Sequence, residues 1–293
     1  MKHYSIFSAV LFCLLLLLIK QTTYAQNTIP LYPENGIIYA KPGGEIPKLT
    51  LYKPEHRKSD IAVIVCSGGS YGGRANDVEG IPACKKLNEA GITAFLLDYR
   101  LPKSSKMDHK DIVPLTDAQK AIIYVRENAK SYHLDPAKVG IMGFSAGGHL
   151  VTTVETHFDK TVLQNPKKTS LRPAFVVATY PVVSFADSLT HMQSRNNLIG
   201  PDITAEKINE FSNELHVTAS TPPTFITAAL DDDGVKVQNS LLLEAALRQQ
   251  KVPVRMFLYS KGGHGFGVYN KTATVQWIDP CIQWILSEKW LNK

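Results

Sequence analysis

Cysteine is scarce in this chain, and extended runs of one charge are missing. Of four cysteines in 293 residues, Cys13 falls in an N-terminal apolar segment, leaving Cys66, Cys84 and Cys281. None forms a Cys-x-x-Cys pair or stands at a metal-type distance from histidine, so neither a metal site nor any other cofactor is expected. Three cysteines cannot all pair within one chain, and the expected role for each is a small buried apolar side chain. Lysine and arginine total 32 against 26 acids, yet no Lys/Arg-rich run or basic stripe interleaved with aromatics occurs. Nucleic acid is therefore not an expected partner. The chain also lacks an internal repeat and any Pro/Gly/Ser-rich linker, and its length suits one α/β domain.

The longest apolar run, from Ile6 to Ile19, follows Lys2 and His3 and precedes Thr23-Tyr24-Ala25. That order is expected of an export signal over residues 1–25, with cleavage near Ala25. The run is short for a membrane span and Lys20 interrupts its end, so no stable anchor is expected, and the site of action would be secreted or periplasmic. Without residues 1–25 the formal charge falls from +6 to about +4 over residues 26–293.

What the chain does contain is a succession of apolar segments of strand length, each ending in glycine or polar residues. Ile37-Ile38-Tyr39 and Leu49-Thr50-Leu51-Tyr52, around Pro42-Gly43-Gly44, predict a hairpin at a sheet edge. Ile61 to Cys66, Ile92 to Leu97, Val139 to Met142, Ala174 to Pro181, Thr224 to Ala229 and Val254 to Tyr259 read as strands, most of them apolar on both faces as buried parallel strands are. Helical periodicity covers Glu79 to Ala90, the stretch around Val113 to Val125 with Asp117 suiting a helix start, Ser145 to about Glu155, Val237 to Gln250 and Thr274 to Trp290. The expected fold is α/β, a doubly wound and mostly parallel sheet with helices on both faces. The connection before Thr224 is long for a loop and predicts a small cap over 184–221.

Chemistry is concentrated at three strand ends. Gly143-Phe144-Ser145-Ala146-Gly147 has the form Gly-x-Ser-x-Gly, a strand-to-helix turn that lifts Ser145 clear of the sheet at a helix N-terminus. A serine nucleophile needs a base, and His264 in Gly262-Gly263-His264-Gly265 follows the last strand. His149, one turn into the elbow helix, is expected to pack rather than react. Leu230-Asp231-Asp232-Asp233-Gly234-Val235 follows the preceding strand and offers three acids; spacing before Val235 favours Asp232, with Asp231 and Asp233 as alternatives. A forming oxyanion would take one N–H from Ala146 and another from the Gly68-Gly69-Ser70 turn.

With those residues assembled, and with Asp98-Tyr99-Arg100-Leu101, Asn197-Leu198-Ile199-Gly200, Thr221-Pro222-Pro223-Thr224-Phe225 and Asn239-Ser240 added, the chain resembles the α/β-hydrolase esterases of the acetyl esterase and acetylxylan esterase-like group with a feruloyl-esterase-type domain. The resemblance implies the α/β-hydrolase fold, Ser145 as nucleophile, Asp232 as acid, His264 as base, and backbone oxyanion donors at Gly69, Ser70 and Ala146. Ser67 and Ser70 stand where such esterases often carry proline and glycine, and Lys236 where proline is frequent.

The expected function is a serine carboxylesterase that deacetylates plant-type polysaccharides or oligosaccharides, so the expected partner is an acylated carbohydrate. Feruloyl ester hydrolysis and prolyl-oligopeptidase-type peptide cleavage are the alternatives, and a non-catalytic binding module is a third. The peptidase would need a propeller domain for which the length leaves no room. Tyr71 and residues near His191 are expected to wall a small acyl pocket, since the cap lacks the apolar runs of a lipase lid.

Overall fold

The computed structural model describes residues 27–33, 36–41, 43–102, 105–200 and 203–290. The expected export signal, residues 1–25, lies outside them. Eight strands form one sheet: β1 (Asn27–Pro30), β2 (Lys48–Tyr52), β3 (Ala62–Cys66), β4 (Thr93–Asp98), β5 (Val139–Phe144), β6 (Val176–Thr179), β7 (Thr224–Ala229) and β8 (Val254–Tyr259). Their spatial order is β1-β2-β4-β3-β5-β6-β7-β8. The β1/β2 and β2/β4 pairs are antiparallel and the remainder parallel.

Strands β3, β5, β6 and β7 are wholly buried, the burial their uninterrupted apolar sequence requires when helices cover both faces. Those helices are α1 (Ile81–Glu89), α2 (Val113–Glu127), α3 (Ser145–Thr156), α4 (Met192–Ile199), α5 (Ala205–Glu210), α6 (Gln238–Gln249) and α7 (Ile278–Leu286). One core joins the α2 and α3 side of the sheet through Ile64, Ile122, Ile141 and Val151. A second joins the α1 and α7 side through Val63, Leu87, Met142 and Trp277. No helix among the described residues is long and apolar enough to cross a membrane.

Three expectations need correction. The edge partner of β2 is Asn27–Pro30, not Ile37-Ile38-Tyr39. Ile37 and Ile38 instead pack against the core, and the Ile38 carbonyl accepts from Nη1 of Arg100 at 2.7 Å. Pro30 is tolerated because it ends an edge strand, where a missing N–H breaks no interior ladder. Asp117 does not serve the dipole of α2; it is fully buried, past the first turn, and grips Arg100 through its Nε and Nη2. The closing helix begins at Ile278 rather than Thr274, because the ring of Pro280 collides with any helical carbonyl four residues earlier.

The segment between β6 and β7 carries α4, α5 and a short 3₁₀ turn, Asn213–His216. Side-chain amides fasten it. Asn239 Oδ1 accepts from Val183 and Ser184 amides, and Asn213 Nδ2 donates to Thr152 Oγ1 at 2.8 Å on α3. Asn197 on α4 donates to the Ser70 carbonyl at 2.7 Å, tying this segment to the turn after β3.

Cys66, Cys84 and Cys281 are free and buried. Burial pushes the Cys66 thiol well above its ordinary value.

Candidate active site

Ser145 occupies the abrupt junction of β5 and α3 with φ of +51°, a conformation costly for any residue with a Cβ. Close packing at the glycines enforces the turn. A Cβ on Gly143 would run into the Gly147 carbonyl oxygen, and one on Gly147 into that of Cys66. Larger residues there would push α3 away from the sheet and lower Ser145 into it.

Oγ of Ser145 lies 2.8 Å from Nε2 of His264, and Nδ1 of that ring lies 2.8 Å from Oδ2 of Asp232. Asp232 is an acceptor at both oxygens, so Nδ1 carries the proton and Nε2 is left to accept from the serine hydroxyl. Of the three consecutive acids, Asp232 reaches the ring. Its Oδ1 takes the amides of Gly234 and Val235, at 3.0 and 2.8 Å, which aims Oδ2 inward. Asp231 accepts from the Gly263 amide instead, and Asp233 is exposed.

The turn after β3 lies against the serine: a Cβ on Gly68 would be 2.8 Å from Cβ of Ser145. Gly69, Ser70 and Tyr71 follow with φ of +118°, +55° and +57°. The Gly72 and Gly73 amides close back on the Gly69 carbonyl. Among the described residues no acceptor takes the amides of Gly69, Ser70 or Ala146. The Gly68 amide is occupied, donating to Oε2 of Glu79 at 2.6 Å.

Tyr71 does not wall the site. Its ring is 1% exposed, and its hydroxyl lies 2.9 Å from Nδ1 of His149. Nε2 of His149 meets the Phe211 carbonyl at 2.9 Å, so Nε2 bears the proton and Tyr71 is the donor to Nδ1. Stacked on Phe185 and fully buried, His149 has its pKa lowered to about 4 by desolvation and stays neutral. Two non-glycine residues at positive φ strain this turn by about 1–3 kcal/mol each. Tyr71 offsets that strain by anchoring the turn in the core.

The cap side contributes His191, half-buried, with Nδ1 at 2.8 Å from Ser194 Oγ. Burial and the electrostatic field of His264 lower its pKa. Sequence reasoning missed Glu79 and Tyr180. Glu79 falls at a helix start, where an acid is ordinary, and Tyr180 inside a stretch read as strand. No sequence signal marks either; only their convergence behind the serine does.

Among the described residues no cluster of three or more His, Cys, Asp or Glu could hold a metal ion. The arrangement can deprotonate a serine hydroxyl as it attacks an acyl carbon and offers free amides beside it.

Residues 49–247 match the family profile BD-FAE. Endo-1,4-beta-xylanase B of Butyrivibrio fibrisolvens is 34% identical over 243 residues, 82% of this chain and 38% of its own length. The acetylxylan esterase of Xylanibacter ruminicola is 33% identical over 224 residues, 75% of this chain and 44% of its own. The chain thus spans about four-tenths of the length of these curated relatives. The crystal structure of an acetyl ester-xyloside bifunctional hydrolase from Caldicellulosiruptor lactoaceticus superposes with a TM-score of 0.80 and 36% identity, covering 89% of this chain and 96% of that one.

Proposed function

The chain belongs to the BD-FAE family and has the α/β-hydrolase fold, and from that premise we propose that it is a serine carboxylesterase removing acetyl groups from plant-type polysaccharides or oligosaccharides. The observation that carries the reading is the unbroken hydrogen-bond run from Ser145 through His264 to Asp232. As Oγ bonds to the acyl carbon, its proton passes to Nε2 and the carbonyl π electrons move onto oxygen. Amides of Gly69, Ser70 and Ala146 receive that oxyanion. Breaking the ester C–O bond expels the sugar alkoxide, which takes the proton from Nε2. Water then repeats the sequence on the acyl-enzyme, freeing acetate and Ser145.

Support for the acyl group and the alcohol comes from the relatives, whose names specify acetylxylan and acetyl ester-xyloside substrates. Export through residues 1–25 belongs to the same proposal, since polymeric substrates are met outside the cytoplasm. The test is a chain-length series of aryl esters beside acetylated xylan and methyl ferulate, followed by acid release. Acetyl esters should be preferred. Faster turnover of octanoyl esters would overturn the substrate assignment, and equal rates on ferulate would remove the acetyl preference. Failure of a fluorophosphonate probe to label the protein, with labelling expected to vanish in Ser145→Ala, would favour the binding-module alternative.

A further inference from the structure

Directly behind the serine lies a carboxylate that the proposed reaction does not use. Glu79, in the wide π-type turn Asn76–Gly80 that precedes α1, is only 4% exposed, and among the described residues no ion pair takes it. Oε2 accepts from the Gly68 amide at 2.6 Å, next to the residues that would receive the oxyanion. Oε1 accepts from the Tyr180 hydroxyl at 3.0 Å, and that hydroxyl accepts from the Gly267 amide at 3.0 Å. Gly267 belongs to the loop that carries His264. The Tyr180 ring stands edge-on to the His264 imidazole, with centroids 4.9 Å apart. One hydrogen-bonded chain therefore links the turn after β3 to the histidine loop through two side chains, Glu79 and Tyr180, that belong to neither.

Both oxygens face donors, so a glutamine, with one accepting oxygen and one donating nitrogen, could satisfy only one of them, whereas a carboxylate satisfies both. We propose that Glu79 is a positioning residue of the hydrolytic site: it fixes the Gly68–Ser70 turn against Ser145 and favours the positive charge that His264 acquires when it takes the serine proton. This inference rests on the serine-esterase reading. His264 and Glu79 interact electrostatically, and the interaction is reciprocal; a positive ring favours the Glu79 carboxylate, and the carboxylate favours a positive ring. Burial raises the Glu79 pKa above the usual carboxylate value, and the Gly68 and Tyr180 hydrogen bonds offset part of that rise. The charged and titratable groups facing His264 are Asp232, His191, Tyr180 and Glu79; those facing Glu79 are Tyr180, Tyr99 and His264.

The full chain carrying Glu79→Gln or Tyr180→Phe is compared with wild type on an aryl acetate from pH 5 to 9, with kcat and KM separated. Each variant's rate of Ser145 phosphonylation by a fluorophosphonate is measured in parallel. Glu79→Gln should lower kcat by about 10- to 100-fold, below the loss typical of deleting an oxyanion donor outright. KM should stay within about threefold, and the acid limb of kcat/KM should move to lower pH because the ring has lost a neighbouring negative charge. Tyr180→Phe keeps the carboxyl group but removes one of its two donors and the link to Gly267, so it should reduce kcat with KM within about threefold. Unchanged kcat and acid limb in folded Glu79→Gln would overturn the inference. Should that variant not fold, wild-type kcat in Tyr180→Phe would overturn it equally. A wild type that turns over no ester counts against the esterase reading alone; the inference is then decided by phosphonylation, which requires only a serine activated by His264 and should slow in both variants.

Discussion

The two oxygens of Asp232 do different work for His264: Oδ2 accepts from Nδ1 at 2.8 Å, while Oδ1 is held by the amides of Gly234 and Val235. The carboxylate is thereby aimed before any substrate arrives. Neither neighbouring aspartate has an equivalent pair of amides, so identical chemistry one residue away gives a different geometry.

Asp232→Asn should lower kcat by about 10⁴-fold with little change in KM, because an amide at this position can stabilise the wrong imidazole tautomer. Asp231→Asn retains an oxygen for the Gly263 amide and should stay within about threefold of wild type, as should exposed Asp233→Asn. Steady-state kinetics of the three variants on one aryl acetate decides the matter. A larger loss in Asp233→Asn than in Asp232→Asn would reassign the acid.

Tyr71→Phe removes the donor to Nδ1 of His149 and leaves that buried nitrogen without a partner. A loss of about 1–3 kcal/mol in urea unfolding is expected. Since the ring faces the core, KM should not change; a rise in KM above about threefold would restore Tyr71 to the substrate surface.

Arg100 and Asp117 form an ion pair with side chains 1% and 0% exposed. Arg100→Leu should destabilise the fold by about 3–5 kcal/mol, because it strands a buried carboxylate. Adding Asp117→Leu should recover part of that loss. Chemical denaturation of the single and double variants measures the difference, and equal stability of the two would show that the lone carboxylate is not the source of the cost.

Glu155 is buried on α3, accepting from the Thr224 hydroxyl through Oε1 while Oε2 has no partner. Burial raises its pKa to about 8. The folded-state value lies above that of an unfolded glutamate, about 4.3. Stability from this group is therefore complete below that lower value and is lost as pH rises through about 8. Between pH 6 and 9 the melting temperature of wild type should fall further than that of Glu155→Gln, whose side chain has no proton to lose there. Parallel melting curves across that range would contradict the assignment.

The sequence by itself determined the order of strands and helices from β2 onward, the strand-to-helix turn at Ser145 and the choice of His264, because each is written locally. Apolar runs specify buried strands, and Gly143 and Gly147 are residues whose missing side chains the turn requires. Tertiary structure decided what depends on direction or on distant partners. Which of three adjacent aspartates turns inward was settled by the Gly234 and Val235 amides. Tyr71 went to the core because His149, 78 residues away, offers a nitrogen there. Asn27–Pro30 took the edge beside β2, and Ile38 gave its carbonyl to Arg100 instead. Glu79 and Tyr180 left no local trace, for an acid at a helix start and an aromatic at a strand end are commonplace. Their meeting behind Ser145 follows from three separate strand ends converging at one edge of the sheet, which periodicity and spacing do not encode.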